Sequence, residues 1–183
     1  DRSLVGSEMC IRDRPSIEQI NYEADDLIAT YAKQIISLGA KVTIISSDKD
    51  LMQLVSNKIR LFDPMKSKVI GEKEVIEKFG VKPNQVVDVQ SLAGDSSDNI
   101  PGVPGIGIKT ASELINKFKT LENLLKKAGE IPQKKRKETL INNKDLALIS
   151  KKLVTLKDDV PIKTKIDTFD IKKVDKKSSK KGN

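Results

Sequence analysis

With 183 residues, 37% of them apolar and 33% charged, the chain has material for one good core, or for a compact domain with a smaller appendage. A single cysteine and no histidine exclude a disulfide scaffold, histidine-based triads and general bases, and most zinc sites, so chemistry must rest on carboxylates, lysines or hydroxyls. The net charge of +8 is uneven, because residues 15–100 hold 10 Lys/Arg against 13 Asp/Glu whereas residues 101–183 hold 21 against 10.

Residues 1–14 show neither helical nor strand periodicity and read as translated sequencing-adapter text, so they are set aside as a non-native leader. A helix is predicted from Tyr22 to Ile36, with acidic residues in its first turn and Gly39 as its stop. Residues 41–46 read as a short buried strand, followed by a second helix opened by Ser47-Asp48-Lys49-Asp50. Residues 59–62 and 68–70 are predicted strands on either side of a turn at Asp63-Pro64. One helix then leads from Glu72 to Gly80, and another starts at Pro83 and runs to about Leu92. Helices alternating with strands argue for an α/β sheet. Beyond Gly94 the pattern becomes all-helical, with helices at about 109–118, 120–128, 134–142 and 144–153. The lysine- and serine-rich end, from about residue 172, lacks periodicity and reads as disordered. No apolar stretch is long enough to span a bilayer, and the lone cysteine fits a reducing cytoplasm.

Three acidic groups sit where elements end: Glu23, Asp25 and Asp26 at a helix start, Asp48 and Asp50 after a strand, and Asp95 and Asp98 at i and i+3 of a turn. Should they converge, each pair of carboxylates about 4 Å apart costs on the order of 4 kcal/mol at an effective dielectric of 20, which cations would relieve. Taken singly, each has a structural explanation: Asp25 and Asp26 as partners of the helix dipole, Asp48 as an N-cap, Asp98 as a turn residue. Hard oxygen donors suit Mg²⁺ best.

Gly102, Val103, Gly105, Ile106, Gly107, Lys109 and Thr110 form a glycine-rich hairpin that opens an amphipathic helix. Such a loop offers close backbone approach and free N–H groups to phosphate, so it would hold DNA without reading its sequence. A plain turn between helices is the other reading. Lys134-Lys135-Arg136-Lys137 is explained equally by an extended footprint or a solvated helix face.

Tyr22-Glu23-Ala24-Asp25-Asp26, Ser46-Ser47-Asp48-Lys49-Asp50 and Gly94-Asp95-Ser96-Ser97-Asp98-Asn99-Ile100-Pro101-Gly102-Val103-Pro104-Gly105-Ile106-Gly107 resemble, in order and spacing, the 5′-3′ exonuclease domain of bacterial DNA polymerase I and its flap endonuclease relatives. The resemblance covers about residues 15–165. It implies a PIN-like (resolvase-like) partial parallel sheet with flanking helices over residues 15–94, then a helix-hairpin-helix (helix-3-turn-helix) DNA-binding region over 95–165, with a basic tail from 166 to 183. It further implies two Mg²⁺ or Mn²⁺ ions that hydrolyse phosphodiesters at 5′ ends, nicks and flaps of DNA in replication and repair. Glu23, Asp25, Asp26 and Asp48 would serve mainly one ion, and Asp50, Asp95 and Asp98 mainly the other. K⁺ would sit among the hairpin carbonyls. The implied protein is a monomeric, cytoplasmic, nucleoid-associated bacterial enzyme. Relatives carry a strand with a further metal-binding Asp, a second such Asp and a basic helical arch ahead of the region matching residue 15; without them, weak activity is expected. A non-catalytic duplex-DNA-binding module and a PIN-type ribonuclease are the competing readings.

Overall fold

The computed structural model describes residues 16–164 together with 166 and 169, so the expected leader and most of the basic tail lie outside the described residues. Helix α1 (Ala24–Ser37) begins with Asp25 and Asp26 in its first turn and ends where Gly39 adopts a φ of +87°. Its inward stripe is Leu27, Ala29, Thr30 and Ala32.

Strand β1 (Val42–Ile45) pairs in parallel with β2 (Ile59–Asp63), and β2 pairs antiparallel with β3 (Lys68–Ile70). The expected parallel pairing is thus present between β1 and β2. The third strand returns antiparallel because a four-residue turn cannot cross over the sheet. Asp63 shapes that turn by accepting the N–H groups of Met65 and Lys66 on Oδ1, at 2.9 and 3.2 Å. Among the described residues, the sheet order β1-β2-β3 leaves β1 at an edge. The strand expected to be buried therefore buries only Ile44, while Ile45 is 70% exposed.

Helix α2 (Glu72–Phe79) is entered through a bond from the Gly71 N–H to Glu74 Oε2 at 2.8 Å, and it stops at Gly80, which is left-handed with φ +71°. Chain from Pro83 first makes a 3₁₀ turn, Pro83–Gln85, and becomes α-helical only in α3 (Val86–Ala93). Helices α4 (Ile108–Phe118), α5 (Leu121–Lys126), α6 (Lys134–Asn142) and α7 (Lys144–Val154) follow, as the sequence pattern predicts.

Helix α3 is central: Val86, Asp88, Val89, Gln90, Ser91 and Leu92 are all buried, and α4 and α7 pack against it. One hydrophobic cluster runs from Ala32, Ile44 and Leu61 under the sheet through Val89 and Leu92 to Leu140 and Ala147 in the helical layer. Charge inside this layer is paired. Lys151 Nζ reaches Asp88 Oδ1 at 2.7 Å and Glu122 Oε1 at 2.6 Å, tying α7 to α3 and α5. Burial alone would depress the Lys151 ammonium, but its two carboxylate partners outweigh burial and raise it.

Candidate metal centre and the adjoining hairpin

Two tight backbone segments carry the central carboxylates. After β1, Asp48 N–H donates to Ser46 Oγ at 3.0 Å and Asp50 N–H donates to Asp48 Oδ1 at 2.9 Å. These bonds steer the chain into a 3₁₀ turn, Asp50–Leu54, where an α-helix was expected. After α3, Gly94 turns with φ +71°, and Asp95 and Ile100 exchange backbone hydrogen bonds of 2.9 and 2.8 Å. The Ser97 N–H and hydroxyl both donate to Asp95 Oδ1, at 3.1 and 2.6 Å. That small loop holds Asp95 and Asp98 together.

The outcome is a cluster in which one carboxylate oxygen each from Asp50, Asp95 and Asp98 lie within 4.8 Å of one another. Lys49 forms an ion pair with Asp95 Oδ2, and Gln90 Nε2 donates to Asp50 Oδ1 at 2.6 Å. The electrostatic field extends to the other acidic groups. Burial, then the charges of Asp48, Asp50, Glu23 and Asp26, push the Asp25 carboxyl up to about 6. Asp50 is also raised, by burial first, with the Gln90 bond opposing and Asp48 and Asp98 adding. Asp95 moves the other way, held below the usual carboxylate range by its bond to Lys49 and then by Ser97. Lys49 is correspondingly raised by its bond to Asp95. On α2, the Lys78 ammonium is lowered by burial and then by Lys66 and Lys49.

Of the seven predicted acidic residues, Asp50, Asp95 and Asp98 form the close cluster, and Asp25 and Asp48 share its field. Glu23 and Asp26 flank Asp25. Asp26 Oδ1 also accepts the Lys157 N–H at 2.8 Å, which anchors the segment after α7 to α1. Three unpaired carboxylates so close would repel by about 3–4 kcal/mol per pair at an effective dielectric of 20. Lys49 relieves part of that repulsion. An oxygen-only donor set with residual negative charge fits a hard divalent cation.

The hairpin residues divide into packed and open positions. Gly102, Val103 and Ile106 are buried, Val103 at 2% and Ile106 at 5% exposure. Gly102 N–H donates to Ser150 Oγ at 2.9 Å and Val103 N–H to the Leu92 carbonyl at 2.7 Å. Gly102 must be glycine for packing, since a Cβ there would collide with the backbone of Gly94. Gly105 and Gly107 face open space, Gly107 caps α4, and Lys109 is exposed in the first turn of that helix, with Thr110 half-buried.

Sequence reasoning assigned no role to Lys49, Gln90 or Ser97. Ser97 carried a signal, as a hydroxyl two residues after an aspartate in a turn. Gln90 carried only its oddity, an amide among Val86, Val89 and Leu92. Among the described residues, no helix is long and apolar enough to cross a membrane.

A small α/β sheet joined to a helical layer, with carboxylate oxygens gathered at the join, defines a resolvase-like domain followed by a helical one. Two family models match in that order: "5'-3' exonuclease, N-terminal resolvase-like domain" over residues 9–80, and "5'-3' exonuclease, C-terminal SAM fold" over residues 81–177. The chain belongs to the 5′-3′ exonuclease family. It is 53% identical over 155 residues to DNA polymerase I of Rhizobium leguminosarum, covering 85% of this chain and 15% of that protein. With the 5′-3′ exonuclease of Buchnera aphidicola subsp. Acyrthosiphon pisum the identity is 43% over 157 residues, covering 82% of this chain and 55% of that one. The structure of the bacteriophage T5 flap endonuclease in a complex with DNA and metal ions matches with a TM-score of 0.75 at 27% identity, covering 82% of this chain and 56% of that chain. The chain therefore spans about half, or much less, of the length of these relatives.

Proposed function

We propose that this chain carries part of a cation-dependent 5′-3′ deoxyribonuclease that hydrolyses DNA phosphodiesters at 5′ ends, nicks and flaps in replication and repair. The observation that carries the reading is the approach of Asp50, Asp95 and Asp98 within 4.8 Å, in a field that lifts Asp25 to about 6. Asp50, Asp95 and Asp98 would hold one Mg²⁺ or Mn²⁺ ion, and Glu23, Asp25, Asp26 and Asp48 would serve a second. Bound divalent cations supply charge neutralisation at the phosphodiester and a more acidic water. The protein's own part is to fix its ligands: Ser97 orients Asp95, Asp48 Oδ1 accepts the N–H of Asp50, and Lys49 lends positive charge beside Asp95 and Asp50.

Open backbone at Gly105 and Gly107, with Lys109 in the first turn of α4, would receive the DNA backbone, and K⁺ would bind at the hairpin carbonyls. The similarity to the T5 flap endonuclease, solved in a complex with DNA and metal ions, supports both partners. A monomer working in a bacterial cytoplasm completes the reading.

The test combines Mn²⁺ titration by electron paramagnetic resonance with hydrolysis of a 5′-flapped duplex. Asp95→Ala is expected to weaken Mn²⁺ binding at least tenfold and to lower hydrolysis by about 100-fold or more, in line with the loss of a metal ligand. Unchanged Mn²⁺ binding in Asp95→Ala, or hydrolysis that persists in EDTA, overturns the proposal.

A further inference from the structure

We infer that Gln90 is a positioning residue, whose buried carboxamide holds one oxygen of Asp50 and so fixes how that carboxylate faces Asp95 and Asp98. The inference rests on the cation site proposed above and adds a residue to its support. Gln90 is 4% exposed on a helix that buries Val86, Val89 and Leu92 beside it, together with Asp88, which pairs with Lys151, and Ser91, whose hydroxyl donates to the Val87 carbonyl. Its Nε2 donates to Asp50 Oδ1 at 2.6 Å, a contact that joins residues forty apart in sequence. Its Oε1 is also buried and has no hydrogen-bond partner among the described residues. The amide therefore acts through its NH₂ group alone. Turning it over would set Oε1 against a carboxylate oxygen, acceptor against acceptor, so Asp50 fixes its orientation.

An apolar side chain of the same length would fill this place and strand no acceptor. Core packing accordingly gives no reason for a glutamine here, whereas the pocket does. Asp50 stands on a short 3₁₀ turn after β1, and Asp95 follows the end of α3 by two residues. One bond from α3 to Asp50 thus joins two ligand-bearing segments that are otherwise tied by the Lys49–Asp95 ion pair, and it is the one of the two that holds Asp50 itself. Support of this kind outside the ligand shell is worth roughly 10- to 100-fold in metal affinity.

The experiment compares Mn²⁺ affinity of the 183-residue chain with that of Gln90→Met, Gln90→Leu and the site control Asp95→Ala, alongside urea unfolding in EDTA. Gln90→Met is expected to bind Mn²⁺ about tenfold or more weakly while its urea midpoint in EDTA stays level or rises. A role in packing alone would lower the midpoint and leave Mn²⁺ affinity in place. Should Gln90→Met fail to fold, Gln90→Leu provides the same comparison. Mn²⁺ affinity within twofold of the unsubstituted chain, while Asp95→Ala loses binding, overturns the role of Gln90 and leaves the cation site standing. Affinity unchanged by Asp95→Ala removes both.

Discussion

Asp25 is the residue at which the site conflicts most with stability. Its carboxyl sits at about 6 instead of 3.8, because burial and four neighbouring acids disfavour the ionised form. A carboxyl with a raised folded pKa keeps its proton in the native state after the unfolded chain has released its own, so native stability falls as pH climbs from about 4 through about 6. Above about 7 the penalty is complete. Full linkage for such a shift approaches 3 kcal/mol, and solvent screening at this half-buried side chain reduces it to about 1–2 kcal/mol. In EDTA, Asp25→Asn should therefore be more stable than the unsubstituted chain by a margin that grows between pH 4 and pH 7 and then levels. At roughly 2–4 °C per kcal/mol for a chain of this size, thermal melts followed by circular dichroism resolve it. Added Mg²⁺ should reverse the order at pH 7.5, because only the aspartate contributes a charged ligand. A margin equal at pH 4 and pH 7.5 removes the electrostatic account of Asp25.

Among the elements, the join between α3 and the hairpin does the positioning, and its glycines differ in kind. Gly94 and Gly102 pack backbone to backbone, both with positive φ, and a Cβ on Gly94 would lie 2.8 Å from the Ile100 carbonyl oxygen. Gly105 also has positive φ, +74°, yet meets open space. Gly102→Ala should cost about 3 kcal/mol or more, combining a strained backbone with forced separation of two chain segments, whereas Gly105→Ala should cost only about 1–2 kcal/mol. Urea midpoints measure both, and equal losses would mean that the Gly94–Gly102 contact is not the constraint. The sequence shows that the glycines bend the chain but not which one is pinned, since pinning depends on what lies across the contact. The same limit explains the other departures. Residues 41–46 carry the apolar content of a buried strand, and only the sheet order reveals that β1 stands at an edge among the described residues. Asp48 and Asp50 are conspicuous in the sequence, while the 3₁₀ turn that starts at Asp50 follows backbone N–H bonds to the Ser46 and Asp48 side chains. Helical periodicity was clear throughout residues 108–154, where local spacing decides the element. Gln90 and Lys49 stayed hidden because their partners lie 40 and 46 residues away.

Across the whole molecule, one core unites regions of opposite charge, since residues 15–100 hold 10 basic against 13 acidic side chains and residues 101–183 hold 21 against 10. DNA should be drawn to the helical side and repelled from the carboxylates until cations bind there. Binding through Lys and Arg to phosphates releases counterions, so log K falls with log salt by about 0.9 per contacted phosphate. Lys109 stands exposed in the first turn of α4, next to the open backbone of Gly105 and Gly107, where a phosphate would meet free N–H groups and the helix dipole together. Lys109→Gln should therefore weaken duplex binding at every sequence alike and reduce the salt slope by about 1. Lys33 is the contrasting case, because it lies on α1 in the acidic region and pairs with Asp158 at 2.9 Å, so Lys33→Gln should leave the slope unchanged. Fluorescence anisotropy of a labelled duplex, measured in Ca²⁺ across a range of KCl, gives both slopes directly. If Lys33→Gln lowers the slope as much as Lys109→Gln does, attraction is spread over the whole surface, and the hairpin with its helix start has no special share in holding DNA.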